Sequence, residues 1–155
     1  MSDARYKLLY EEAIRQLTAQ ERELEQLRTR ASGLVAASSV ATSFFGAGLL
    51  RKTTIGVSGW LAIALFVVVV LVSGWVVAGT IRKWYVGFSP VVVHHSWMTN
   101  REPPLSEDAL HLNLATTIYR SLQINDSHLT KRRNAIATAG SCLTLEILLW
   151  ILNLM

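Results

Sequence analysis

Long uncharged stretches alternate with long polar stretches along the chain. Residues 31–50 and 53–81 carry no charged side chain, and residues 134–155 carry Glu146 alone. Because roughly 20 apolar helical residues cross the hydrocarbon core of a bilayer, each of these stretches is long enough to span it. The pattern predicts a transmembrane hairpin over residues 31–83 and a third transmembrane helix over residues 134–155.

The polar segments before the first and third spans both have the composition and periodicity of helices. Residues 1–30 are rich in Glu, Gln, Leu and Arg and contain neither Gly nor Pro. Their apolar positions alternate at spacings of four and three, which is typical of a helix with one apolar stripe. Residues 106–133 begin at Ser106, a good helix cap, and also carry regularly spaced apolar residues. Residues 84–105 contain all three prolines and are predicted to form an extended loop.

Two polar residues interrupt the apolar lines of these helices. Gln20 breaks the first line, and Asn125 breaks the second. In coiled coils, such polar insertions fix register and oligomer number, so both residues are candidates for oligomerisation. The alternative is that they point at solvent.

The basic residues are distributed unevenly between the two sides of the predicted membrane. Six precede the first span, two lie between the first and second spans, seven lie between the second and third, and none follows the third. Since Lys and Arg favour the cytoplasmic side, the N-terminus and the middle segment are expected inside the cell, with the C-terminus outside. We therefore expect an all-α membrane protein, in which two of three transmembrane helices extend into parallel cytosolic helices that form a stalk.

Composition agrees with a membrane protein, because 51% of the residues are hydrophobic and only 17% are charged. The single cysteine rules out a disulfide within the chain. No phosphate-binding loop, no catalytic constellation and no metal-ligand spacing among the four histidines is recognisable. Enzymatic activity, a metal site, a cofactor and a nucleic-acid partner are not expected.

The first predicted span is rich in small residues, which let membrane helices approach closely. Gly33, Ala37 and Ala41 form one ladder at a spacing of four, and Ser39, Ser43 and Ala47 form another. We expect this span to be internal and to mediate assembly of a homo-oligomer.

Glu146 is the main candidate for a functional site, because ionisable residues inside a membrane are rare and costly. One interpretation is a structural group that hydrogen-bonds to the Ser and Thr hydroxyls of the first span. The other is a role in a pore or in ion or proton passage, together with Ser39 and Ser43. Either way, Glu146 should face other helices.

Basic residues of the predicted cytosolic region could contact an anionic ligand such as a nucleotide. The candidates are Arg101, Arg120, Lys131 and Arg132. The alternative for the cluster 131–133 is an ordinary topological anchor near anionic headgroups.

The stretch LHLNLATTIYRSLQINDSHLTKRRNAIATAG, residues 110–140, has a polar helix with a central Asn, then a basic cluster, then an apolar end. Following an N-terminal helix and a membrane hairpin, it resembles the small bacterial anti-phage membrane effectors of the SLATT and Pycsar types. Asn125, Lys131, Arg132 and the apolar tail carry the likeness. The resemblance implies an oligomer, switched by a nucleotide second messenger or a cytosolic sensor protein, that permeabilises the inner membrane.

The leading hypothesis is therefore an oligomeric membrane effector that forms or gates a pore. One alternative is a non-conducting membrane adaptor that docks a cytosolic partner through its helical stalk. The other is a holin-like lysis protein, which shares the small size and basic ends but needs no stalk.

Overall fold

The computed structural model describes residues 4–49, 56–78 and 106–154, and these form three helices. Helix α1 covers Ala4–Leu49, α2 covers Val57–Ala78 and α3 covers Glu107–Leu154. No strand occurs in these three ranges, so the all-helical prediction is confirmed for them. The predicted loop 84–105, which includes Arg101, lies outside the described residues.

Each long helix continues from a polar into an apolar sequence without a break. In α1, no Gly or Pro occurs before Gly33, and glycine is tolerated in helices of this apolar kind. At the start of α3, the Ser106 hydroxyl accepts a hydrogen bond from the Ala109 amide at 3.3 Å. Glu107 and Asp108 follow in the first turn, where negative charge is favoured.

Two of the described helices, α2 and α3, are long and apolar enough to cross a membrane. Their most apolar windows have mean hydropathy values of 2.9 and 1.9. These two helices agree with the predicted second and third spans. The first span, in the apolar part of α1, stays a prediction.

The described residues divide into two compact units. The first contains residues 4–24 and 106–129, and the second contains residues 25–49, 56–78 and 130–154. Each unit therefore takes one part of α1 and one part of α3.

In the first unit, α1 and α3 run parallel. The rings of Tyr10 and His111 stack with centroids 5.6 Å apart, and further along both helices Gln20 Nε2 donates to the Leu122 carbonyl at 3.1 Å. The core consists of Ala13, Ile118 and Leu122, with Tyr10 and Leu17 packed against it. The apolar stripe predicted for the N-terminal helix thus has its partner within the same chain.

Both polar interruptions of the apolar lines lie at helix contacts. Asn125 is fully buried, and the half-buried Gln20 binds the backbone of α3. The alternative that Asn125 points at solvent is therefore wrong. Whether either residue sets an oligomer number stays a prediction.

In the second unit, α1 and α3 also run parallel, and α2 runs antiparallel to α3. Ser58, at the start of α2, donates to Asn153 Oδ1, near the end of α3, at 3.0 Å. Ala62, one turn later in α2, packs against Trp150, which precedes Asn153 by about one turn. The second unit is therefore a three-helix arrangement, with Glu146 among its buried residues.

Candidate functional site

Glu146 of α3 is fully buried in the second unit and is held by two hydroxyl groups of α1. Ser38 Oγ donates to Glu146 Oε2 at 2.5 Å, and Thr42 Oγ1 donates to Glu146 Oε1 at 2.7 Å. Each carboxyl oxygen therefore has its own donor. We call Ser38, Thr42 and Glu146 the hydroxyl clasp.

The helical repeat explains why both hydroxyls reach one carboxyl group. Ser38 and Thr42 are four residues apart, so they lie one above the other on the same face of α1. Because α1 and α3 are parallel neighbours, a side chain of α3 at this level can meet both hydroxyls. The clasp thus joins residues of α1 and α3 that are more than one hundred positions apart in the chain.

A cluster of aromatic and aliphatic side chains lies next to the clasp, one turn after Glu146 along α3. Trp150 follows Glu146 by one helical turn, is 1% exposed and stacks on Phe45 with ring centroids 6.5 Å apart. Ala62 of α2 packs against Trp150, and Ile63 and Leu149 complete the cluster. Bulky side chains therefore follow the carboxyl group directly along α3.

The chemistry of the clasp is that of a polar crosslink between helices. A carboxyl group whose two oxygens each accept an O–H donor is well satisfied at a buried position, where an unmet polar group would be costly. Among the described residues, no group of three or more His, Cys, Asp or Glu side chains could hold a metal ion. The clasp thus corresponds to the structural interpretation of Glu146, and a role in conduction would need the pairing to open or a second copy to contribute.

The structure brings Glu146 to hydroxyls adjacent to those named from the sequence. Ser39 is half-buried and Ser43 is exposed, whereas Ser38 and Thr42 make the clasp. Two hydroxyl ladders run side by side in α1, displaced by one residue. The two ladders have the same spacing and differ only by a rotation of about 100° around the axis of α1. Periodicity alone therefore could not tell which ladder faces α3.

Most small residues proposed for oligomerisation lie on the outside of the chain. Gly33, Ala37 and Ala47 are exposed and Ala41 is half-buried. A Cβ atom added at Gly33 would meet nothing within 4 Å. Among the described residues, these small side chains thus make no close helix approach, and the assembly that they were expected to mediate stays a prediction.

The basic candidates have different environments. Arg132 is buried, whereas Arg120 and Lys131 are exposed. Arg120 belongs to the first unit and the other two belong to the second. The structure therefore describes no single site that contains all of them.

Sequence reasoning missed a line of residues that recurs every seven positions along α3. Four of its six members have polar side chains, among them Asn125 and Glu146. The six members are His111, Ile118, Asn125, Arg132, Ala139 and Glu146. All are buried except His111, which is half-buried. A seven-residue repeat keeps one face toward a neighbouring helix, so a search for polar residues at this period would have grouped them.

Comparison with known proteins finds no family model, no curated protein and no solved structure that matches the chain. A functional proposal is therefore argued from the residues of the two units.

Proposed function

We propose that the chain is an oligomeric membrane effector that forms or gates a conduit through the bilayer. The observation that carries the proposal is the hydroxyl clasp, which holds α3 on one face of α1 and leaves another face of α1 open. The resemblance to SLATT-type and Pycsar-type effectors gives the proposed setting. In that setting the protein disrupts the inner membrane in anti-phage defence, after a signal from a nucleotide or a sensor protein.

The open face of α1 is a regular stripe. Its members are exposed and alternate at spacings of four and three: Gly33, Ala37, Val40, Phe44 and Ala47. Val40 is 69% exposed and Phe44 is 75% exposed. This alternation is the one that packs parallel helices against each other, and small residues let their backbones approach. We call these five residues the outer stripe and propose that it contacts α1 of a second copy.

In such an assembly, α1 lies nearest the symmetry axis because its outer stripe faces the other copies. Ser43 is exposed and adjoins Phe44 of the stripe, so it is the hydroxyl proposed to face a conduit. The clasp sets how α1 lies on α3 and is proposed to govern whether the conduit opens. The proposal involves no catalysed reaction.

Ion flux through the purified full-length protein in liposomes, with its mass measured in detergent, tests the proposal. We expect a mass above that of one chain and a flux that depends on protein. A strictly monomeric protein that leaks nothing would refute the proposal.

Two matched hydroxyl variants separate the clasp from the conduit lining. We expect Ser38→Ala combined with Thr42→Val to change flux through gating, in the same direction as Glu146→Leu, since all of them break the clasp. Ser43→Ala leaves the clasp intact, so it should alter only conductance or ion preference. If all variants conduct like the wild-type protein, the clasp does not gate a conduit and Ser43 does not line one.

A groove in the first unit favours a second candidate, the membrane adaptor. It has a volume of about 290 Å³, and its rim includes the exposed side chains of Leu9 and Tyr119. Apolar grooves between helices are common docking sites for a partner helix. If the chain is an adaptor, Tyr119→Ala should abolish binding of the partner. The wild-type protein should then conduct no ions.

A further inference from the structure

Charge is concentrated at one end of the second unit. Its described residues include seven charged side chains, and five of these are basic: Arg28, Arg30, Lys131, Arg132 and Arg133. The acidic ones are Glu25 and Glu146, and only Glu25 lies near the basic residues in sequence. The basic residues immediately precede the apolar parts of α1 and α3. This end of the unit is therefore strongly positive.

The helical register places Arg28 opposite Arg132. Thr42 and Glu146 are in direct contact, and Arg28 and Arg132 each precede one of them by fourteen residues. Fourteen residues are close to four helical turns, so each arginine lies on the same face as its clasp residue. Ala139, midway between Arg132 and Glu146, is fully buried, as expected for a face that stays in contact.

The two arginines are also unusually enclosed for basic residues. Arg132 is 5% exposed, and the side chain of Arg28 is 34% exposed. Burial lowers the pKa of the Arg132 guanidinium, and the positive charge of Arg28 lowers it further. Two neighbouring cations in a partly desolvated place repel each other, which a bound anion would relieve.

We propose that Arg28 and Arg132 together bind a phosphate group, with Arg30, Lys131 and Arg133 adding positive potential around it. Guanidinium groups present a planar set of N–H donors that matches phosphate oxygens. Arg28 also donates to Glu25 Oε2 at 3.1 Å, and this carboxylate is mostly exposed. A phosphate group would contact the guanidiniums from the other side.

Two sources could supply this phosphate: the headgroup of an anionic phospholipid and a soluble nucleotide. The position directly before two apolar helix segments favours the lipid, because the phosphate layer of a bilayer lies at that boundary. The chemistry of the contact is the same for both sources, so the experiment must present them separately.

The test measures binding to the full-length protein in a neutral detergent by native mass spectrometry. The probes are phosphatidylglycerol, phosphatidylcholine, inorganic phosphate and ATP. We expect wild-type protein to bind phosphatidylglycerol saturably and more tightly than phosphatidylcholine. The affinity for phosphatidylglycerol should fall by about tenfold or more in Arg28→Gln and in Arg132→Gln. Arg28→Lys should bind with intermediate affinity, because it keeps the charge and loses the planar donors.

Arg15→Gln is the matched control. Arg15 forms a salt bridge with Glu12 three residues earlier, as Arg28 does with Glu25, but it lies in the first unit. If Arg15→Gln or Arg133→Gln weakens binding as much as Arg28→Gln, general charge attraction explains the data and the proposal is overturned. Should Arg132→Gln fail to fold, the half-exposed Arg28 variants decide the outcome alone.

The probes identify the source. Loss of phosphatidylglycerol binding in the Arg28 variants assigns the site to a lipid headgroup, whereas loss of phosphate or ATP binding in the same variants assigns it to a soluble phosphate. Absence of any probe preference in wild-type protein overturns the proposal. Because the readout is binding, its failure is independent of whether the protein conducts ions.

Discussion

Glu146 shows how a costly residue can be kept within an apolar helix. A charged carboxylate at the centre of a transmembrane helix costs about 2.5 to 3.5 kcal/mol on insertion scales. Ser38 and Thr42 offset part of this cost by donating one hydrogen bond to each oxygen. When the carboxylate is lost, both hydroxyls can turn back to carbonyl groups of their own helix. The clasp therefore contributes to pairing of α1 with α3 rather than to the stability of either helix.

Replacement of Glu146 tests this contribution. Interhelical hydrogen bonds in membranes average about 0.6 kcal/mol, with an upper value of about 1.7. We expect Glu146→Leu to lower the free energy of unfolding in detergent by about 1 to 3 kcal/mol, and Glu146→Gln to lower it less, since the amide oxygen still accepts a hydrogen bond. Leu145→Ala, at an exposed neighbour, is the control. Equal losses in the Leu and Gln variants would contradict the clasp.

Phe44 and Phe45 are adjacent residues with opposite environments. Phe45 stacks on the buried Trp150, whereas Phe44 is exposed. We expect Phe45→Ala to reduce thermal stability in detergent and shift tryptophan fluorescence to longer wavelength, because water or detergent reaches Trp150. Phe44→Ala should leave both nearly unchanged and lower the oligomeric mass. If Phe44→Ala lowers stability and shifts the fluorescence while Phe45→Ala does neither, the stacking of Phe45 on Trp150 does not stabilise the chain.

At the scale of elements, α1 in the second unit has one buried face and one exposed face. One face is buried, with Ala31 and Ser38 fully inaccessible, and the other carries the outer stripe. Both faces are built mainly from small residues, so composition does not distinguish them. The contact with α3 does distinguish them, because Ser38 and Thr42 on the buried face donate hydrogen bonds to Glu146.

Adding bulk to each face separates folding from assembly. Ala37→Leu and Gly33→Leu enlarge the outer stripe, and at Gly33 a Cβ atom would meet nothing within 4 Å. We expect both variants to unfold at the wild-type temperature and to migrate as smaller assemblies in detergent. Ala31→Leu is the counterpart on the buried face and should lower stability, because overpacking costs about 1 to 3 kcal/mol. Unchanged assembly in both outer variants would rule out the outer stripe as the interface.

At the scale of the whole molecule, the distribution of basic residues predicts the orientation in the membrane. Six precede the predicted first span and seven lie between the second and third, against two between the first and second. This bias favours cytoplasmic placement of the polar parts of α1 and α3.

Reporter fusions measure the orientation directly. We expect a reporter fused before Met1 to be active in the cytoplasm and one fused after Met155 to be active outside it. Neutral substitution of Arg51 and Lys52 should leave the result unchanged, because the remaining thirteen basic residues already set the bias. A reporter after Met155 found in the cytoplasm would mean that the chain crosses the membrane an even number of times.

The sequence by itself determined which segments are helical and which are apolar enough for a membrane, because periodicity and hydropathy are local properties. It also marked Glu146, Gln20 and Asn125 as unusual, since each breaks an otherwise apolar line. Only the tertiary structure decided that Ser38 and Thr42, rather than Ser39 and Ser43, bind the carboxyl group, and that Arg28 lies opposite Arg132. These pairings depend on the register and rotation of helices that are distant in sequence. A shift of one residue rotates a helical side chain by about 100°, and no local pattern encodes that choice.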